Sequence, residues 1–330
     1  MSLLEVRNLR VEFGPPERPL AAVRGVDLQL DAGELLGIAG ESGSGKSLSL
    51  LALMGLVDPP GRVSADTLRF DGVDLLPLSP RARRRRIGGR VAMIFQDPVA
   101  SLDPSYSVGF QLIETLRAHR PANRSALRER AVELLQSVEI ADPATRLAAY
   151  PHQLSGGMCQ RVMIAMALAC EPRLLLADEP TTALDVTIQA QVLDLLARLQ
   201  RERRMAMLLV THDLSLLAEH ADRVAVMYAG EIVETQQAPA IFEQPRHPYT
   251  AALLASLPER SRGAARLPAL AGHVPGPRER PPGCLFEPRC ARAVAGCRVH
   301  PLLGALPDGA EVRCIRPLGA TTEAAAQAGR

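Results

Sequence analysis

The chain has 330 residues, with 38 basic and 36 acidic side chains and a formal net charge of +2. That balance gives no bulk electrostatic case for nucleic acid or an anionic membrane, and the absence of Trp beside only 4 Tyr and 6 Phe argues against base-stacking platforms. The length fits about two domains at ~150 residues each, or one large domain with an appendage.

Residues 1–40 carry three short runs rich in Val, Leu and Ile: "LEVRNLRVEF", "AAVRGVDLQL" and "ELLGIAG". Turn residues separate them (Gly14-Pro15-Pro16, then Asp31-Ala32-Gly33), so they read as strands. Next, "GESGSGKSLSLLALMGL" is a Gly-rich loop that passes into a helical apolar pattern. "GRVAMIF" at 89–95 predicts a strand. Leu and Ile at three- and four-residue spacings predict helix within 107–138, and another helix is expected from Ser155 to Cys170. Alternation resumes with "RLLLADE", "IQAQVLDLLARLQRERR", "MAMLLVTHD" and "DRVAVMYAGEIVE", the last read as strand. Such alternation implies a mostly parallel sheet covered by helices, an α/β fold. A helical insert at about 97–160 interrupts it. Past residue 257 the composition shifts to Pro, Ala and Arg ("PGPRERPPG"), so 258–330 reads as a linker and a small appendage, ending in a frayed tail at 319–330. "RARRRR" at 81–86 reads as a solvated face ahead of a strand rather than a nucleic-acid patch.

"MSLLEVRNLRVEF" has no apolar signal-peptide core, and no stretch approaches ~18 uninterrupted apolar residues. A cytoplasmic protein is expected, in which clustered thiols favour metal or redox roles over disulfides.

Three stretches carry chemistry. Gly40-Glu41-Ser42-Gly43-Ser44-Gly45-Lys46-Ser47 fits G-x-x-x-x-G-K-[ST]. Glycines let successive N–H groups converge on phosphate oxygens, and the following helix adds its positive end. Lys46 supplies a cation for the β- and γ-phosphates, and the Ser47 hydroxyl can ligate Mg²⁺. This is a nucleotide site. In Leu174–Glu179 an apolar strand ends in two carboxylates, suiting Asp178 to Mg²⁺ through water and Glu179 to an attacking water. In "LSGGMCQR", Ser155, Gly156 and Gly157 cap a helix whose N-terminus can face an anion.

In this order and spacing the motifs resemble those of the ATP-binding cassette ATPases, the motor subunits of ABC transporters, over roughly residues 3–257. The resemblance implies a P-loop cassette with a mostly parallel core sheet, an antiparallel β subdomain and a helical signature subdomain. It makes Leu154–Gln160 the signature and Gln96 the Q-loop glutamine that senses Mg²⁺. It makes Asp185 the end of the D-loop "TTALD", His212 the switch histidine at the γ-phosphate, and Phe13 a candidate for stacking on adenine. It also implies that two cassettes dimerise head to tail, each ATP lying between one phosphate loop and the other subunit's signature. Glu179, His212 and Gln96 are then the expected catalytic set for ATP hydrolysis.

Cys284, Cys290, Cys297 and Cys314 follow C-x5-C-x6-C-x16-C. Four thiolates suit tetrahedral zinc or an iron–sulfur cluster, and the absence of a tight C-x2–4-C pair favours the cluster. Cys159 and Cys170 read as core or helix-surface residues. "HPYTAALLASLP" at 247–258 and "VPGPRERPPGCLFEPRC" look like the C-terminal extension of the ATPases of oligopeptide and dipeptide importers. That resemblance implies a [4Fe–4S] cluster on the four cysteines, with zinc as the alternative. It also implies the partners: two transmembrane permeases, a second and non-identical ATP-binding subunit, and an extracytoplasmic solute-binding protein. The expected location is the cytoplasmic face of the inner membrane, with no role for nucleic acid. The rival reading is a non-transport cassette ATPase acting on DNA or ribosomes; such relatives hold paired cassettes, long insertions or N-terminal clusters in one chain.

Overall fold

The computed structural model describes residues 2–98, 100–119, 122–182, 184–257 and 270–319. Most of the expected linker, Ala183 of "TTALD" and the tail past 319 lie outside the described residues. In chain order, β1 (Ser2–Phe13), β2 (Leu20–Asp31) and β3 (Leu35–Ala39) lead into α1 (Lys46–Met54). Three short strands follow, β4 (Arg62–Ser64), β5 (Thr67–Phe70) and β6 (Val73–Asp74), then α2 (Pro80–Ile87) and β7 (Val91–Ile94). Four helices come next: α3 (Val108–His119), α4 (Arg124–Ser137), α5 (Pro143–Arg146) and α6 (Gly156–Leu168). Then come β8 (Leu174–Asp178), α7 (Val186–Arg203), β9 (Ala206–Val210), α8 (Leu214–His220), β10 (Arg223–Tyr228) and β11 (Glu231–Gln237). The chain continues through α9 (Ala238–Glu243), α10 (Pro248–Ala255), β12 (Gly304–Ala305) and β13 (Glu311–Val312).

These elements form two compact units, one from residues 30–35 and 77–210, the other from 4–29, 36–76 and 211 onward. In the first, β9, β8 and β7 run parallel, with Leu174 opposite Val91 and Ala206, and Asp178 opposite Val210. β8 and β9 are apolar at nearly every position and buried throughout, as central parallel strands must be. The helices bury one stripe each: Leu112 and Leu116 of α3, and Leu127, Ala131 and Leu134 of α4, at three- and four-residue spacings. The poly-arginine run lies on α2, where Arg81, Arg84 and Arg85 are exposed.

In the second unit one sheet runs β2-β1-β5-β6, with β4 also on β1. The other runs β12-β13-β11-β10-β3, in which only the β3–β10 pair is parallel. The stretch 222–234, expected as one strand, is a hairpin. Ala229 (φ +47°) and Gly230 (φ +90°) reverse it, both in left-handed conformations that such two-residue turns require. An Ala at that position hides the turn, because Asn or Gly would normally signal it.

The C-terminal segment is more integrated than its composition implies. β13 pairs with β11 (Val312 opposite Glu234, Glu311 opposite Thr235), and Leu306, Ala310 and Val312 form a small core against which Cys314 packs. Leu285 and Phe286 are buried as well. The segment that reads in the sequence as a linker and small appendage gains order by adding a strand to a sheet edge.

Candidate active site and cysteine centre

The phosphate loop is shaped by its glycines. A Cβ at Gly40 (φ +150°) would collide with the Met227 carbonyl oxygen, and Gly45 (φ +100°) is the left-handed residue that starts α1. Lys46 is buried, and its Nζ donates to the carbonyls of Gly40 (2.8 Å) and Glu41 (3.1 Å). The ammonium is thus held inside the turn where phosphate oxygens would arrive. Ser44 is wholly buried, and among the described residues its Oγ has no hydrogen-bond partner. An orphaned buried hydroxyl is costly, and a phosphate oxygen is a partner it fits. Ser42 and Gly43 are exposed and Ser47 half-buried. In the same unit, Phe13 is half-buried at the end of β1, and His212 is exposed just past β9.

The acidic strand end belongs to the other unit. Asp178 closes β8 and is buried, while Glu179 follows in a left-handed conformation (φ +43°) ahead of Pro180. A non-glycine residue pays strain for that conformation, which is concentrated at functional sites. Its N–H still bonds the Val210 carbonyl (2.9 Å), so the kink falls at the last ladder position. Gln96 lies two residues past β7, not at its end, and its Nε2 donates to Glu179 Oε2 (3.2 Å). The Thr182 hydroxyl donates to the same oxygen (3.0 Å). Sequence reasoning passed over Thr182, although it stands in the quoted "TTALD".

Two expected signature and D-loop residues are helix caps. Ser155 is the N-cap of α6, as its motif led one to expect, and its Oγ accepts from Met158 N–H (3.3 Å). Ser155 and Gly156 are exposed, Gly157 is half-buried, and Gln160 is buried. Asp185 is exposed and caps α7 by accepting from Ile188 N–H (3.0 Å). Cys159 is buried in α6, whereas Cys170 lies just beyond that helix.

Cys284, Cys290, Cys297 and Cys314 line one cavity with His247, Pro248, Phe286 and Ile315. Thirty residues of chain separate the first from the last, and the segment folds to bring all four to one place. The Cys284 N–H bonds the Cys297 carbonyl (2.8 Å), and the backbone N–H groups of Phe286, Arg292 and Arg316 are directed at the sulfurs of Cys284, Cys290 and Cys314. Donors of this kind stabilise thiolates and tune bound clusters. Burial pushes the Cys284 thiol up to about 11, with the neighbouring thiols adding to it, and raises Cys290 and Cys314 for the same leading reason. A bound cation would remove that cost. Among the described residues no three of these sulfurs lie within 4.8 Å of one another. Four thiolates around one zinc at about 2.3 Å would sit closer, at about 3.8 Å.

Between this cavity and the phosphate loop stands an aromatic wall. Tyr228, Tyr249 and Phe286 pack with ring centroids 4.6 to 5.4 Å apart. His247 lies 5.8 Å from Phe286, and burial pushes its imidazole down to about 3, so it is neutral, with Nδ1 accepting from Tyr249 N–H.

The ABC transporter family model matches residues 23–182, from β2 through the acidic strand end, and the model of the oligopeptide/dipeptide transporter C-terminal region matches 233–297. The chain is 56% identical over 319 residues, 96% of its own length and 98% of the other's, to the dipeptide transport ATP-binding protein DppD of Escherichia coli. The chain belongs to the ABC transporter ATP-binding proteins, in the dipeptide/oligopeptide branch. It is an ATP-hydrolysing cassette. A putative peptide import ATP-binding protein of Brucella abortus is 46% identical over 312 residues, 94% of each chain. Among solved structures, the cassette MJ0796 bound to ADP and Pi, a dimer, matches at TM-score 0.63 and 28% identity, covering 71% of this chain and 98% of that one. The cassette cbiO1 of Clostridium perfringens matches at TM-score 0.62 and 26% identity, covering 73% and 91%. Among the described residues, no helix of this ABC protein is long and apolar enough to cross a membrane.

Proposed function

We propose that this chain is one of two ATPase subunits driving peptide import across the inner membrane, seated on its cytoplasmic face through two permease subunits. The second ATPase is a different chain, and an extracytoplasmic binding protein delivers di- or oligopeptides. The observation that carries this reading is the match of cassette and C-terminal region in one chain, at 56% identity to a dipeptide transport protein. The cassette comprises residues 1–257 with its helical subdomain at 97–160, and 258–330 is the extension.

In this reading, the N–H groups of Gly40–Ser47 and the Lys46 ammonium hold the β- and γ-phosphates, with the Ser44 hydroxyl finding its partner there. Phe13 stacks on adenine. Ser47, Asp178 and Gln96 hold Mg²⁺, which neutralises phosphate charge when bound. Glu179, oriented by Gln96 and Thr182, accepts a proton from the attacking water. His212 contacts the γ-phosphate. Ser155, Gly156, Gly157 and Gln160, with Asp185, serve the ATP on the partner cassette. Cys284, Cys290, Cys297 and Cys314 hold a [4Fe–4S] cluster that staples the extension. The gathering of four cysteines in one cavity supports a thiolate-bound centre, and the choice of a cluster over zinc rests on the resemblance and on the lack of a tight C-x2–4-C pair.

Reconstitution with the permeases and binding protein tests the transport reading. ATP hydrolysis should rise with added dipeptides or oligopeptides and fall about 10²–10⁴-fold in Glu179→Gln; a peptide-indifferent rate, or an unaffected variant, overturns it. Iron and acid-labile sulfide at about four each per chain, measured without air and lost in Cys290→Ser, would establish the cluster. Zinc in their place would refute it.

A further inference from the structure

The phosphate loop is gripped by a residue of the cysteine segment. Arg289 Nη1 and Nη2 donate to Glu41 Oε2 (2.8 Å) and Oε1 (3.0 Å), a two-pronged pair that fixes orientation as well as charge. The Arg289 side chain is only 6% exposed and that of Glu41 29%, so this is not one of the solvated surface pairs that contribute little. The remaining guanidinium capacity is also used. Nε donates to the Ala271 carbonyl (2.8 Å), Nη2 reaches the Leu270 carbonyl (3.4 Å), and the cation lies 5.7 Å from the Tyr228 ring centroid. An arginine restrained on so many sides is a rigid arm.

Glu41 is held from its backbone as well, because its N–H donates to the Tyr249 hydroxyl at 3.0 Å. The carbonyls of Gly40 and Glu41 are the groups that hold Lys46 Nζ. Displacing Glu41 therefore displaces the ammonium expected at the phosphates. At the other end, Arg289 and Cys290 are consecutive residues of one tight turn, with Arg289 N–H on the Phe286 carbonyl and Cys290 N–H on that of Glu287. Consecutive Cα atoms sit about 3.8 Å apart, so the turn that places Cys290 in its cavity also places Arg289 on the loop.

We propose that Arg289 is a positioning residue for nucleotide: by clamping Glu41 it makes ATP affinity at residues 40–47 depend on the fold of the cysteine segment. The proposal rests on the ATP reading of this loop and adds to it a dependence on a residue 248 positions away. A merely structural pair would lower thermal stability and leave the affinity of the folded protein unchanged.

The experiment is a double-mutant cycle on the full chain, with binding of a fluorescent MgATP analogue and thermal unfolding measured side by side. Arg289→Gln and Glu41→Gln should each raise Kd about tenfold, equivalent to about 1.4 kcal/mol. The double variant should be no worse than either single. Amides of residues 40–47 should exchange hydrogen faster in Arg289→Gln. Should that variant fail to fold, Arg289→Lys keeps the charge, loses the fork, and should raise Kd about threefold. Values within twofold of wild type, or single effects that multiply in the double variant, overturn the latch while leaving the loop an ATP site. Wild-type protein that fails to bind the analogue overturns the ATP reading itself.

Discussion

The phosphate loop and the cysteine cavity each gather polar groups in one place, and they do so in opposite ways. In the loop, eight consecutive residues make up the motif and backbone N–H groups are the expected donors, so Ser42 and Gly43 can be left in solvent. In the cysteine centre, four side chains from a thirty-residue stretch converge on one cavity, and the backbone only trims the sulfurs with N–H groups. The first fails when a backbone angle changes. The second fails when one side chain, or the packing that gathers them, is lost.

That contrast can be tested at four positions. The largest effect is expected at Phe286, which is buried between the cysteine cavity and the tyrosines of the aromatic wall. Phe286→Ala should destabilise the C-terminal segment by about 3–5 kcal/mol, the range for an aromatic removed from a core. Limited proteolysis and hydrogen exchange past residue 270 would show the loss. Protection equal to wild type would mean that the segment is held by its strand pairing alone. Gly40→Ala comes next. A Cβ there meets the Met227 carbonyl oxygen in a backbone conformation that strains any L-residue, at about 1–3 kcal/mol. Because relief requires the loop to move, MgATP binding should fall more steeply than the melting temperature.

Legibility in the sequence followed the same division. The loop was readable because its function lies in adjacent residues, and β8 because a fully buried parallel strand must be apolar throughout. The cap at Ser155 was legible in its motif, whereas the cap at Asp185 became visible only in the structure. The cysteines were readable by residue type and by resemblance, and the convergence expected of them is present, since all four line one cavity. Three features left no local signal. The hairpin at Ala229-Gly230 uses an alanine where turn chemistry favours Asn or Gly. The kink at Glu179 is imposed by tertiary context. The Arg289–Glu41 pair joins residues whose spacing encodes nothing, since no helical or strand period spans it. Such contacts become visible only when the chain is folded.

The smallest effect is expected at Ser42, and it is the sharpest test of a backbone-built site. Ser42 stands in the middle of the phosphate loop, and its side chain is exposed. If the loop binds phosphate through N–H groups ordered by Gly40 and Gly45, truncating a hydroxyl that faces solvent removes no donor on which the site depends. Ser42→Ala should keep its Kd for MgATP within about twofold of wild type, or about 0.4 kcal/mol, with stability unchanged. The neighbouring Ser44→Ala differs by contrast, since that hydroxyl is buried and unpartnered among the described residues. Removing an unsatisfied polar atom should raise the stability of the nucleotide-free protein slightly while weakening nucleotide binding. Opposite signs for stability and affinity at position 44, beside silence at 42, would separate a loop hydroxyl that serves the ligand from one that serves only as a spacer. A large loss of affinity at Ser42 would instead show that side chains share the work, and the contrast with the cysteine centre would collapse.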